Sequence, residues 1–482
     1  MGIWTTLLAP AEFLSGMVRK GRRKGREFMD GRRRVRVAVV GAGCSGKTVF
    51  LTSLANHLKH HDRWRFDLNG WESIRSEGCT EIERNDRMRD FDYDRMRGYF
   101  SRSPQEWPCR TETCSVLRLP LSLRKDGSTR RMLLEVLDLP GARVSDFPMI
   151  GRSFDEWSDW MDGAFSRSDD WRGYVESLKV AADDATALDA YRRFLAQEYG
   201  RLSPWLMPSI VKMDTDGTDR GSPTQDGFLR NIKDVPVGVD VESQFVPVPP
   251  RIAAALHEDG AWRERIVGFR RHYERYRDMV VAPIADWLKD VDHVFYLVDV
   301  LSLMRRGPLA AERETNFGRA LLGIFARIGG GDWFLQRIWD GISDFLTIRP
   351  KNICIVATKA DEVACETDRE SLVKVLRATF REQLDGLSRG ETRTSVRACA
   401  AVRTTLPFSG QGALRARLER CASGTVDYRA PEIPDVWPWE KWPDDWRQRV
   451  PVQQTFPLFD AAAGEAPPQF GLDVLARMML SV

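Results

Sequence analysis

The residues best suited to chemistry begin at Gly41. Gly41, Ala42, Gly43, Cys44, Ser45, Gly46, Lys47 and Thr48 match the spacing GxxxxGK[ST] in full. In such a loop, successive N–H groups from Gly43 to Thr48 wrap a phosphate, and the N-terminus of a following helix adds its own positive field. Lys47 reaches the β- and γ-phosphates, and the Thr48 hydroxyl suits Mg²⁺. A glycine-rich turn without function needs no particular flanks, whereas this one sits between a strand-like and a helix-like run.

Two further motifs follow in an order that matters. Asp138-Leu139-Pro140-Gly141 ends a strand-like run. An aspartate there holds Mg²⁺ through water, and the Gly141 N–H senses a γ-phosphate. Taken alone, Asp-Leu-Pro-Gly is only a turn. Thr358-Lys359-Ala360-Asp361 fits [NT]KxD. The Asp361 carboxylate accepts from the N1–H and 2-amino groups of guanine, which adenine lacks, and the Lys359 stem lies along the base. Ala401 and Val402, after the next strand, supply backbone N–H groups for the guanine O6. Without its context, TKxD marks a solvated helix start. Thr111 is the candidate first-switch threonine and a tentative third magnesium ligand. Its competing reading is an ordinary loop threonine. Ala142 and Arg143 stand where a Ras-like switch has the water-orienting Gln, so Arg110 and Arg143 become candidates for charge stabilisation, candidate catalytic residues alongside Lys47. Both also suit plain solvated loops.

The elements that must position these groups are legible. Val35, Val37, Ala38, Val39 and Val40 form a buried-strand run, and Phe50, Leu51, Leu54 and Leu58 share one face of the helix after it. Leu117, Leu119, Leu121 and Leu123 alternate with Arg118, Pro120, Ser122 and Arg124. Through the turn Lys125-Asp126-Gly127-Ser128 they form a hairpin with Met132–Leu137, and Pro120 argues for a sheet edge. Further strands are expected at His293–Val298, Asn352–Ala357 and Ser395–Ala400. Between Gly151 and Asp290 the pattern is helical, with the stripe Ile266, Phe269, Tyr273, Tyr276 and Val280. Asp214–Pro250 is a long polar loop, and Trp437, Trp439, Trp442 and Trp446 crowd a proline-rich segment near the end.

Composition limits the alternatives. The 482 residues, 43% hydrophobic and 29% charged with a net charge of +3, describe a globular chain of two to three folding units and not a general polyanion binder. The basic character is local: ten basic residues between Arg19 and Arg36 face only Glu27 and Asp30, a net +8. The eight cysteines form no CxxC pair, which excludes the common zinc sites, and Cys354 and Cys399 lie in apolar runs as reduced thiols. A reducing cytoplasm follows, since no run reaches a membrane span and the apolar stretch Met1–Val18 precedes its basic run, inverting signal-peptide order. Residues 1–34 suit contact with an anionic membrane surface. A helix docked on the body and a basic arm on nucleic acid are the alternatives, and sequence-specific nucleic-acid recognition is not expected.

In order and wording, these residues resemble the bacterial YcjX-like P-loop proteins. The resemblance rests on Gly41–Thr48, Trp107-Pro108-Cys109-Arg110-Thr111, Asp138–Gly141, Leu297–Leu301, Ala357–Asp361, Ala400–Arg403 and Phe456–Phe459, spread over most of the chain beyond Val35. It implies a Ras-like α/β GTPase core with a helical insertion, cytoplasmic and sometimes membrane-associated, serving the stress response. Ala142-Arg143 departs from the family's Glu-Trp, and the loop 214–250 is longer than usual. The expected organisation is an arm (1–34), a first core part (35–150), a helical insertion (151–290), a second core part (291–425) and a Trp/Pro-rich segment packing on the core (426–482). The expected fold class is an α/β P-loop NTPase, mostly parallel with one antiparallel hairpin strand. The expected function is a GTP- and GDP-binding, Mg²⁺-dependent hydrolase acting as a switch for a protein effector that the sequence does not name. An ATPase with the same loop chemistry and a nucleotide-gated scaffold with little turnover are the competing readings.

Overall fold

The structure is a computed structural model that describes residues 31–42, 45–61, 66, 68, 71–77, 88–102, 106–108, 114–140, 146–202, 245–326, 350–363, 365–390, 392–408, 413–418, 425–429, 432–446, 455–457 and 467–481. Residues 1–30 of the arm, most of the 214–250 loop, and the site candidates Gly43, Cys44, Arg110, Thr111, Gly141 and Arg143 lie outside the described residues.

The central strand, β1 (Arg33–Gly41), is buried from Arg34 onward, and its alternating side chains feed two layers. Val35, Val37 and Val39 enter one apolar cluster while Ala38 and Val40 enter another. Around it run β2 (Ser73–Ser76), β3 (Arg89–Asp90), β4 (Ser115–Lys125), β5 (Ser128–Pro140), β6 (His293–Val298), β7 (Asn352–Ala357) and β8 (Arg393–Ala398), in the order β2-β4-β5-β1-β6-β7-β8 with β3 beside β4. The β5, β1, β6, β7 and β8 strands pair in parallel, and β4 runs against β5 as the hairpin predicts. The fold is α/β and mostly parallel, as expected of a Ras-like P-loop NTPase.

One expectation is corrected. Pro120 does not mark the sheet edge, because β2 pairs with β4 from Leu121 to Arg124. The Pro120 carbonyl accepts from the Glu77 N–H, so its nitrogen faces the same side, just past the last registered pair Ser76–Leu121. A missing donor is harmless where the neighbouring strand ends. The last strand is also displaced, starting at Arg393 rather than Ser395.

Helix α1 (Lys47–Lys59) buries Phe50, Leu51, Leu54 and Leu58 against one sheet face. Next come α2 (Tyr93–Phe100) and the insertion between β5 and β6: α3 (Phe154–Phe165), α4 (Asp169–Lys179), α5 (Asp184–Leu202), α6 (Pro250–Glu258), α7 (Gly260–Tyr276) and α8 (Ala282–Leu288). A capping box between Ser153 and Glu156 starts α3. The α7 stripe is buried against Trp157 and Phe245, and Tyr273 stacks on Trp157 with ring centroids 4.9 Å apart. The end of the expected loop, Phe245–Val248, is itself core, and the Ser158 hydroxyl holds the Val248 N–H. A π-helical turn, Arg277–Val281, joins α7 to α8, where Pro283 has no N–H to give the Met279 carbonyl.

Helices α9 (Val300–Arg306) and α10 (Pro308–Ala326) follow β6, and α11 (Glu366–Thr379) and α12 (Arg381–Arg389) follow β7. A second sheet, β9 (Thr405–Phe408), β10 (Ala413–Leu418), β11 (Thr425–Arg429) and β12 (Thr455–Phe456), has no counterpart in the sequence reading. The tryptophans from Trp437 to Trp446 stack on one another, and the Trp442 indole N–H donates to the Met304 carbonyl at the end of α9.

Helix α13 (Leu472–Leu480) closes the face that α1 opens. His57, near the end of α1, lies 3.0 Å from the Pro467 carbonyl just before α13, and burial pushes its imidazole down to about 4. The folded state therefore resists protonation while the unfolded chain takes up a proton near pH 6.5. Stability from neutral His57 is present above that value and is lost as pH falls toward 4. Between pH 7 and 5, the wild-type chain should lose about 2 kcal/mol relative to His57→Gln, read from urea unfolding at both values. An unchanged gap between the two proteins would refute this.

Candidate functional site

The GxxxxGK[ST] segment begins at Gly41, the last residue of β1. A Cβ on Gly41 would meet the Leu297 carbonyl and the Ser45 Oγ at 2.5 Å each, so the chain passes there only as glycine. Gly46 turns the backbone with φ +90° into α1. No side chain caps that helix start, unlike α3, α4 and α9, which are capped by Ser153, Ser168 and Asp299. The first-turn N–H groups of α1 thus remain directed at the loop mouth. Lys47 folds back over the same mouth, its Nζ donating to the Gly41 carbonyl at 2.8 Å and the Ala42 carbonyl at 2.9 Å. The Ser45 Oγ is buried without a hydrogen-bond partner among the described residues.

Asp138 is fully buried on β5 in register with Val39, two residues before Gly41, where β1 runs into the loop. Thr48 occupies the first turn of α1. A hydroxyl and a carboxylate flanking a phosphate loop are hard oxygen donors of the kind Mg²⁺ takes when phosphates and water complete its shell.

The TKxD segment leaves the end of β7, two strands from β1. The Thr358 N–H and hydroxyl both donate to the Val298 carbonyl. Lys359 adopts a left-handed φ of +58° and places its Nζ 2.6 Å from Asp299 Oδ2. Burial alone would raise the Asp299 carboxyl, but the Lys359 ammonium and the Ser302 N–H and hydroxyl outweigh it and hold the group below the usual carboxylate range. Asp361 is buried, and its Oδ2 accepts from the Thr404 N–H at 2.6 Å, the Thr404 hydroxyl at 3.1 Å and the Thr405 N–H at 3.2 Å. Burial raises its carboxyl while these bonds oppose the rise. The Ala360 N–H donates to the Cys399 carbonyl, and the Ser53 hydroxyl on α1 donates to the Ala401 carbonyl at 2.6 Å. That bond ties the phosphate-loop helix to the Ala401-Val402 turn.

Gly41, Ala42, Ser45, Gly46, Lys47, Thr48, Asp138, Thr358, Lys359, Asp361, Ala401 and Val402 therefore all lie along the carboxyl ends of the parallel strands. In open α/β sheets that edge is where ligands bind. Sequence reasoning assigned no role to Asp299, Ser53, Thr404 or Thr405. Asp299 carried a signal, since it ends a buried strand and precedes a helix; Thr404 and Thr405 carried none.

A model of the YcjX-like family (DUF463) matches residues 35–481. The chain belongs to the YcjX-like family. Two relatives carry the name Ras-like GTPase YcjX. The protein of Escherichia coli K12 is 31% identical over 168 residues, 31% of this chain and 36% of that protein. The protein of Shewanella oneidensis is 28% identical over 192 residues, 35% of this chain and 39% of that protein. The aligned stretch thus spans between a third and two fifths of either relative. In this YcjX-like chain one more acid stands near the loop. Glu314 on α10 is buried, accepts the Tyr296 hydroxyl at 2.7 Å, and is pushed up to about 7 by burial despite the Lys47 charge. Among the described residues no helix is long and apolar enough to cross a membrane.

Proposed function

We propose that this protein binds GTP and GDP with Mg²⁺ and hydrolyses GTP slowly, serving as a switch rather than a high-turnover enzyme. The observation that carries the reading is the alignment of Gly41, Lys47 and the clamped Asp361 along one sheet edge, with Ser53 on α1 bonded to the Ala401 carbonyl in the turn beyond β8. Gly41 to Thr48 would cradle the phosphates and Lys47 would neutralise them. Thr48, with Asp138 through water, would hold the magnesium ion, which supplies charge neutralisation at the β- and γ-oxygens. Asp361 would read guanine, and the names of the two relatives agree with that choice.

The test is competition of GTP, GDP, ATP and ADP for the purified protein in Mg²⁺. Guanine nucleotides should win by tenfold or more, roughly the 1–3 kcal/mol of one unpaired buried acceptor. Equal affinities would replace this reading with an ATPase. Because Ala142 stands where a water-orienting Gln would be, single-turnover hydrolysis should run on the order of 10⁻⁴–10⁻² per second. No measurable turnover beside tight GTP binding would leave the nucleotide-gated scaffold.

A further inference from the structure

The small sheet grows directly out of the Asp361 clamp. Thr405, the first residue of β9, gives its N–H to Asp361 Oδ2 and its hydroxyl to the Asp361 carbonyl. From there the register crosses to Ala416 on β10, and two residues along β9 it runs from Pro407 to Leu414 and on to Tyr428 of β11. Opposed residues on antiparallel strands share a face. Thr405, Leu414 and Ala416 are buried, so that face looks inward, and Tyr428 lies on it.

Tyr428 ends in a buried hydroxyl oxygen with no hydrogen-bond partner among the described residues. Its proton is held firmly, first by burial and then by the negative charges of Glu362 and Asp361, which are its electrostatic neighbours. An orphaned buried hydroxyl costs about 1–3 kcal/mol, so such groups normally find a partner. On the reading proposed above, the Asp361 that neighbours it electrostatically receives a base. Guanine offers Asp361 its N1–H and one hydrogen of the 2-amino group, which leaves the second amino hydrogen in want of an acceptor.

We infer that the β9–β12 sheet is a wall of the base pocket and that the Tyr428 Oη accepts a hydrogen bond from the guanine 2-amino group. Tyr428 is then a specificity-determining residue alongside Asp361. This rests on the nucleotide reading proposed above.

The experiment measures GDP and IDP affinity of the full-length protein and of Tyr428→Phe by titration with Mg²⁺, together with the thermal midpoint of each. IDP lacks the 2-amino group and retains the N1–H. Tyr428→Phe should bind GDP about fivefold to tenfold more weakly, bind IDP like the wild type, and melt at the same temperature or slightly higher, because the hydroxyl it loses has no partner among the described residues. Unchanged GDP affinity, or an equal loss for GDP and IDP with a lowered melting point, would overturn the assignment. Failure of the wild-type protein to bind GDP at all would instead refute the nucleotide reading itself, so the two failures stay distinct.

Discussion

Replacing Lys47 with alanine is expected to abolish tight binding of GTP while leaving the fold intact. The ammonium stands at the loop mouth, donating to the Gly41 and Ala42 carbonyls at 2.8 and 2.9 Å. Both carbonyls belong to the Gly41–Thr48 segment itself, so these two bonds tie no separate elements together. What disappears is the cation that would face two phosphates. Charge-assisted hydrogen bonds contribute roughly 1.5–3 kcal/mol each, so two of them amount to a loss of about a hundredfold to more than ten-thousandfold in Kd. Titration calorimetry with GTP and Mg²⁺ measures the loss, and circular dichroism with a thermal melt checks the fold. Thr48→Ala should weaken binding less and remove the Mg²⁺ dependence of what remains. If Lys47→Ala bound GTP like the wild type, the loop would be a structural turn, and the alignment of Asp138 and Asp361 along the same edge would need another explanation.

How much of this was legible in the chain depends on how local each determinant is. The run Val35–Val40 into Gly41 and Lys47 is contiguous, so strand, loop and helix could be read in one pass and stand where expected. The β4–β5 hairpin was equally legible, since its turn Lys125-Asp126-Gly127-Ser128 carries left-handed backbone at Asp126 and Gly127. Pro120 misled because a proline reports a missing donor on one side of a strand, and that side is empty at a true edge and also where a short neighbour stops. Helix α13 was readable in principle: Leu472, Leu475, Ala476, Met479 and Leu480 recur at helical spacing and are all buried. The second sheet was not, because its strands are short and mix charged with apolar residues, and β12 joins β10 only from Thr455. The anchoring of Asp361 by Thr404 and Thr405 likewise exists only once the chain returns from β8, 43 residues later. Local motifs announce which groups do chemistry, and tertiary return decides what holds them still.

That anchoring makes the outcome at Asp361 specific. The Thr404 N–H and hydroxyl and the Thr405 N–H all fall on Oδ2, with Asp361's own N–H a further donor to the carboxylate, and on the proposed reading Oδ1 faces the base. Alanine there would strand buried donors and cost about 1–3 kcal/mol of local stability, mixing a folding defect with a binding one. Asparagine separates the two. Its oxygen must take the place of Oδ2, because the Thr404 and Thr405 N–H groups need an acceptor, so its amide nitrogen occupies the place of Oδ1. A donor then faces the N1–H and 2-amino donors of guanine. The loss of a charged acceptor and the opposition of donors should weaken GDP by about a hundredfold, roughly 3 kcal/mol. Xanthine carries an oxygen at position 2, so XDP should bind Asp361→Asn more tightly than GDP does, reversing the wild-type order. ADP, which uses neither contact, should be little changed. Titrating GDP, XDP and ADP against both proteins reads all three effects at once. If Asp361→Asn kept the wild-type preference for GDP, Asp361 would be a structural clamp for the β8–β9 turn and the base would be read elsewhere.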